Sequence, residues 1–377
     1  MTVLTKDITY TDKITIAAVS ASHVHVDYDS VGGHIVFAYW DTTATDTVRV
    51  VSATISGEEL TLGSPVAGLT QDFLYDFMYE PTSGYFIGID RDGYLSTFSV
   101  SGNVVTFEDN TSIGTGTYYA KLCRTATGFC VYYHDFVSGY SRVIAGTISG
   151  GNITLGSYSN DFSNATEYLT CDYDSVNDRI LLARNNSSGY IQIRVMKVVG
   201  TTITLGSIVG LTTSAGYSTA VGFDATAGKF ALWAWEGDNY TTRIITISDV
   251  TPSATSPVVV GDATADDFRE TRSTFHTTNN SIVSVFETDD VGGSTTWSAN
   301  PAGLIEFLID GSNISISNPI AIGTSRAIDP DICYIPGSNL FAVVYQDYYG
   351  GNYAVCRLVD VPKSSFWINF KGQTETL

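Results

Sequence analysis

Four acids stand immediately ahead of, or inside, strand-like runs. Asp266 and Asp267 precede "FRETRSTF", and Asp329 and Asp331 lie in "AIDPDICY". Carboxylates gathered at one mouth suit two chemistries. A pair held at fixed separation hydrolyses glycosides, and a set of oxygen donors holds a hard divalent cation. The chain carries 39 Asp plus Glu, so close pairs arise by chance. No loop places acids at alternate positions around a central Gly, so the pattern assigns no metal. The five histidines are His23, His25, His34, His134 and His276. Only His23 and His25 are close in sequence, and they flank a strand alternation, which places them beside a wall. Cys123, Cys130, Cys171, Cys333 and Cys356 are odd in number, fit no zinc or CxxC spacing, and each sits in an apolar segment. They read as small buried hydrophobes made in a reducing compartment. With no GxSxG and no phosphate loop, the sequence assigns no catalytic residue, no metal and no cofactor.

The elements that must position these residues are repeated. An aromatic-centred strand, a tight polar turn and an apolar strand recur as "VDYDSVGGHIVFAYWD", "FMYEPTSGYFIGIDRD", "LCRTATGFCVYYHD", "YDSVNDRILLARN", "FDATAGKFALWAW", "STFHTTNNSIVSVFETDD" and "ICYIPGSNLFAVVYQD". The equivalent positions are Tyr28, Tyr79, Arg124, Tyr173, Phe223, Phe275 and Tyr334, a period of about fifty residues. Each copy continues into a third strand, such as "VRVVSATISG" or "SRVIAGTISG". A fourth short strand follows, such as "LTLGSPV", "ITLGSYS" or "ITLGSIV". Four antiparallel strands per unit of this length is the pattern of a propeller blade. The expected fold is therefore all-β: a seven-bladed β-propeller of four-stranded antiparallel blades, one domain over 1–377, closed by a terminal strand. Two segments compete to close it. "DITYTDKITIAA", within the lead-in 1–22, precedes blade one as a fourth strand would. "SFWINF" at 365–370, within the tail 362–377, follows the last third strand. The N-terminal segment is favoured.

In such a blade the loops between strands two and three share a face with the loops between blades. Here those two–three loops vary from copy to copy, and many end in Tyr or Trp flanked by Gly, Asn and Asp. Variable loops on a rigid frame are where binding usually lives. The candidate binding residues are Tyr140, Tyr190, Tyr240, Trp297, Tyr348 and Tyr349. "TDDVGGSTTW" shares composition with the Asp-box turn of sialidase propellers, but its Trp is displaced and it occurs once.

The net charge of −20, from 19 basic and 39 acidic residues, argues against nucleic acid and anionic lipid as partners. Charged residues make up only 15%, with strand and turn formers in their place. The first 22 residues lack the basic start and apolar block of a secretory signal. No run of eighteen apolar residues occurs, so no membrane-inserted helix is expected.

The tandem pattern in Tyr28 to Asp41 with Val51 to Val66, Ser141 to Gly156 and Tyr173 to Gly206 resembles repeats of bacteriophage virion proteins of the tail-fibre-like kind. The resemblance implies a non-enzymatic structural or attachment component of a virion, made in the host cytoplasm. Its partners would be other virion proteins and a host cell-surface glycan or protein. Two alternatives from other classes are a lectin-like or glycan-processing propeller and a cellular protein-interaction scaffold.

Overall fold

The computed structural model describes residues 9–362, apart from 44–46, 69–72, 163–167, 187, 213–215, 217–218, 237–238, 263–266, 290–301, 318–319 and 324–325. The described residues form seven antiparallel sheets and no helix. The sheets are the blades of a seven-bladed β-propeller. Their first strands are Ala21–Tyr28, Leu74–Glu80, Thr117–Thr125, Thr170–Asp174, Thr219–Asp224, Asp267–His276 and Ala327–Ile335.

The second strands show why seven copies are needed. In Ile35–Asp41 five successive residues, Ile35 to Tyr39, are all buried, so this strand is covered on both faces. Side chains alternate across a strand, and the alternation sorts them. Ile35, Phe37 and Tyr39 pack into a core shared with blade seven, whereas Val36 and Ala38 pack into one shared with blade two. Blade three divides the same way, with Val131 and Tyr133 towards blade two and Cys130 and Tyr132 towards blade four. Seven apolar cores result, one at each blade junction.

The outer strand departs from the expected single element. In blade one it is two pieces, Glu59–Leu62 and Val66–Ala67, paired to the two ends of Thr47–Ser56. Six blades show this split, and in blade two Val104–Ser112 runs on with a bulge. The break falls at the Gly of the recurring "TLGS". A Cβ on Gly63 would stand 2.0 Å from the Asn103 carbonyl oxygen of the next blade. On Gly206 it would stand 2.0 Å from that of Val250, and on Gly156, 2.4 Å from that of Thr201. Each glycine lets the following blade's three–four turn dock at the outer edge.

Closure follows the favoured reading. Thr9–Tyr10 pairs with Asp360 and Val359, and Ile14–Ala17 pairs with Cys356 to Ala354. The N-terminal segment is thus the split outer strand of blade seven. Ile16 and Ala17 complete the core joining blades seven and one. The competing segment 365–370 lies outside the described residues.

Gly206→Ala tests the docking contact. It is expected to cost about 1–3 kcal/mol, as overpacking does. Gly210→Ala, whose Cβ meets nothing within 4 Å, is the neutral control. Chemical denaturation of both variants measures the difference.

Candidate functional site

The first strands surround an axial cavity of about 420 Å³. Its wall is stitched by carboxylates that each accept two backbone amides. Asp27 takes the N–H of Tyr28 at 2.8 Å and, from blade two, that of Tyr79 at 2.7 Å. Asp76 takes Phe77 at 3.0 Å and blade three's Leu122 at 2.7 Å. Asp172 takes Tyr173 and blade five's Phe223, both at 2.7 Å. Asp331 takes Ile332 at 2.8 Å and blade one's Val26 at 3.2 Å. Charge-assisted bonds of this kind are stronger than neutral ones, and here each one clasps two neighbouring blades.

Two arginines reach beyond their neighbours. Arg272 of blade six sets Nη1 2.9 Å from Asp76 Oδ1 of blade two. Arg124 of blade three sets Nη2 2.6 Å from Asp27 Oδ2 of blade one, and its Nε donates to the Tyr79 carbonyl. Burial pushes the Asp331 carboxyl up, but the Arg272 charge and the His25 imidazole outweigh it and hold the group below its usual range. Burial dominates at Asp172 and lifts it to about 6 against the Tyr173 and Phe223 amides and the Arg124 charge. Burial and a hydrogen bond with Cys130 raise the Cys123 thiol. A hydrogen bond with Cys123, then burial, raises that of Cys171. Both stay protonated. Cys171 lines the cavity half-buried, and the other four cysteines are buried.

The mouth is built differently. Near the start of the first strand, blades one, two, three and seven carry an irregularity in strand pairing, between Ser22 and His25, Leu74 and Asp76, Tyr118 and Ala120, and Ile328 and Asp331. Such bulges re-aim side chains. At or beside them, and at the matching point of blade four, the backbone enters the left-handed region at His23 (φ 50°), Phe73 (61°), Tyr119 (50°), Tyr168 (64°) and Asp329 (49°). A bulky side chain there is a genuine outlier, and outliers of this kind gather at functional sites. The result is an aromatic crescent. Trp40 stacks on Phe73 at 4.7 Å, with His23 edge-on to Phe73 at 4.2 Å. Tyr75, Tyr119 and Tyr168 continue the arc at 6.3, 6.5 and 6.1 Å. Asp329 closes its blade-seven end, accepting the His23 N–H at 3.3 Å. Of the acids singled out from sequence, Asp331 is thus a structural clasp and Asp329 a mouth residue. Asp266 and the Asp267 side chain lie outside the described region. His25 is buried between Asp331 and the Leu74 carbonyl, in the wall.

The two–three loops lie on this same face, as the hydrogen bonds from Thr42 to Ser20 and from Ala21 to Asn352 require. Tyr140, Tyr190, Tyr348 and Tyr349 are exposed there. Phe136 and Val137, which the sequence reading passed over inside "HDFVSGY", are exposed further still, at 63% and 81%. Tyr240 is corrected: strand alternation turns it into the core between blades five and six, where it is 3% exposed and is no part of the exposed loop surface. Trp297 lies outside the described residues. The loops are pinned from below by acids at the end of the second strand. Asp135 accepts the N–H groups of Val137 and Ser138 and pairs with Arg142 at 2.7 Å. Asp41, Glu236 and Asp347 pair with Arg49, Arg243 and Lys13. Blade two breaks the pattern. Ser96 stands where blades one and three have Arg49 and Arg142, and Asp90, fully buried, forms no ion pair among the described residues. Burial pushes its carboxyl up to about 7, partly offset by the Tyr94 amide.

No protein-family model matches the chain, and no curated protein does. Solved structures do match. A protein from Lactobacillus plantarum aligns at 11% identity and a TM-score of 0.58, over 82% of this chain and 86% of that one. The β-propeller domain of Cps50 (Swd1) from Myceliophteria thermophila aligns at 9% and 0.57, over 92% and 98%. Sqt1 of Saccharomyces cerevisiae aligns at 9% and 0.55, over 94% and 100%. At these identities the likeness is one of fold.

Two outcomes follow. The Asp90 carboxyl has a folded value of about 7 against 3.8 as a model group, so the folded chain prefers the protonated form. Its stability is undiminished below about pH 4 and falls as the pH rises to 7. Asp90→Asn keeps the acceptor for Tyr94 and is expected to raise the melting temperature at pH 8 but not at pH 4. Arg272→Met strands the buried Asp76 and is expected to cost about 3 kcal/mol, the scale for a broken buried pair, measured by denaturation at pH 7.

Proposed function

We propose that this propeller is a non-enzymatic protein-interaction platform whose working face is the mouth face. One observation carries the reading: the exposed loop-tip aromatics gather there. Phe136, Tyr140, Tyr190, Tyr348 and Tyr349 stand on the mouth face, whereas the opposite face exposes Val31, Val176, Val104 and Val199. Aromatics are the side chains that interfaces favour, and an exposed apolar patch on a soluble fold marks a contact surface.

The frame beneath suits rapid and selective docking. Asp135, Asn186 and Asp347 hold the loop amides of Val137, Tyr190 and Gly350 at 2.9 to 3.0 Å, so little ordering is left for the moment of binding. The carboxylates that a glycosidase would need are engaged in holding the ring, since Asp27, Asp76, Asp172 and Asp331 each satisfy backbone amides of two blades. The net charge of −20 steers towards basic partners. The three structures named above do not bear on the virion role implied by the repeat resemblance, and the platform role does not draw on it.

A paired comparison tests it. Phe136→Ser with Tyr140→Ser and Tyr349→Ser is expected to weaken binding of the protein captured by the wild-type chain at least tenfold. Val31→Ser with Val176→Ser is expected to leave it unchanged. Loss only with the valine pair, or equal loss with both, contradicts the assignment of the face.

A further inference from the structure

Building on that platform role, we propose that the aromatic crescent at the mouth binds an extended, arginine-bearing peptide segment of the partner, with alternate side chains meeting successive rings. The crescent is a built feature. The same backbone position in blades one to four holds His23, Phe73, Tyr119 and Tyr168 in the left-handed region. Glycine would sit there without strain, yet all four positions carry a ring. The four are half-buried, so part of each ring faces the mouth.

The spacing selects an extended chain. From Phe73 through Tyr75 and Tyr119 to Tyr168 the ring centroids step by 6.3, 6.5 and 6.1 Å, and the planes turn by 30° to 38° at each step. An extended strand rises about 3.2–3.4 Å per residue and sends alternate side chains to one side, so same-side groups recur every ~6.4–6.8 Å. The match is to a two-residue period, curved slightly to follow the ring of blades.

The charge of the ligand follows from the site. A guanidinium already lies against this arc, with Arg91 5.7 Å from the Phe73 centroid. The same face pairs Arg326 with Tyr348 at 5.1 Å, so its rings accept cations. Asp329 places a partly exposed carboxylate at the blade-seven end of the arc, and the chain's net charge of −20 favours a basic ligand over an acidic one. Arginine suits better than lysine, because its planar, weakly hydrated group stacks on aromatic faces.

The test uses two synthetic Gly/Ser peptides of identical composition. One places arginine at alternate positions and the other places the same arginines in an unbroken run. Fluorescence anisotropy against the full chain is expected to show at least fivefold tighter binding of the alternating peptide. Binding is expected to quench or shift the emission of Trp40, which stacks on Phe73. The double variant Tyr119→Gly, Tyr168→Gly removes two rings while relieving their backbone strain, so it keeps the fold. It is expected to lose at least tenfold in affinity. Three results overturn the inference: equal binding of the two peptides, full binding by the double variant, or no peptide binding alongside binding of a neutral oligosaccharide. If the peptides fail while Phe136→Ser with Tyr140→Ser and Tyr349→Ser still releases the captured partner, the crescent assignment falls and the platform reading stands.

Discussion

Every blade of this ring has two apolar faces and can satisfy neither alone. The five consecutive buried residues from Ile35 to Tyr39 state the problem, since odd and even positions belong to different cores. Only a partner on each side removes both faces from water, and only a closed circle supplies every blade with two partners. Closure therefore decides whether the chain has a folded state. It is made by a strand from the far end of the sequence, with Ile16 and Ala17 filling the last junction. The glycines of the outer strand belong to the same constraint, because they let one blade's turn rest on the backbone of its neighbour.

At the axis the constraint takes a polar form. First strands crowd together there, and amides facing the next blade need acceptors, since an unpaired buried N–H costs about as much as a lost hydrogen bond. Asp27, Asp76, Asp172 and Asp331 supply those acceptors, and Arg124 and Arg272 offset part of the charge that results. Chemistry-bearing residues line the cavity, yet those carboxylates are fixed in clasps and the thiols there are held protonated. Freedom to vary is left to the mouth, where first strands begin and two–three loops end. The strain of the fold is concentrated there, in left-handed aromatic residues whose conformation the surrounding bulges hold in place.

The architecture was readable because strand and turn chemistry repeats. Tyr28, Tyr79, Arg124, Tyr173, Phe223, Phe275 and Tyr334 mark one position in seven sheets, and the N-terminal "ITIA" carried its role in its period. The split of the outer strand was hidden, since "LTLGSPV" alternates as one strand and only the approach of Asn103 explains its glycine. The crescent was hidden because its rings stand at strand starts, where the acids Asp329 and Asp331 were the legible feature and the aromatics read as ordinary strand residues. Its trace was present: His23, Tyr119, Tyr168 and Asp329 each lie five residues before the repeated position, and Phe73 lies six before. Tyr240 misled for a related reason. It stands at a loop end like Tyr140 and Tyr190, but at a register that faces inward, and a shift of one residue exchanges the two faces of a strand. The clasping aspartates were legible only in part, because Asp27 and Asp172 precede the repeated aromatic by one residue while Asp76 and Asp331 precede theirs by three.

The closed ring is proposed to present its mouth face to a partner. Hydrogen–deuterium exchange of the full chain, with and without the bound partner, addresses it directly. The account predicts added protection in segments 21–24, 73–75, 134–140 and 346–353 and none in the opposite turns, 29–34 and 174–178. Protection confined to those turns, with the mouth segments unchanged, would contradict it.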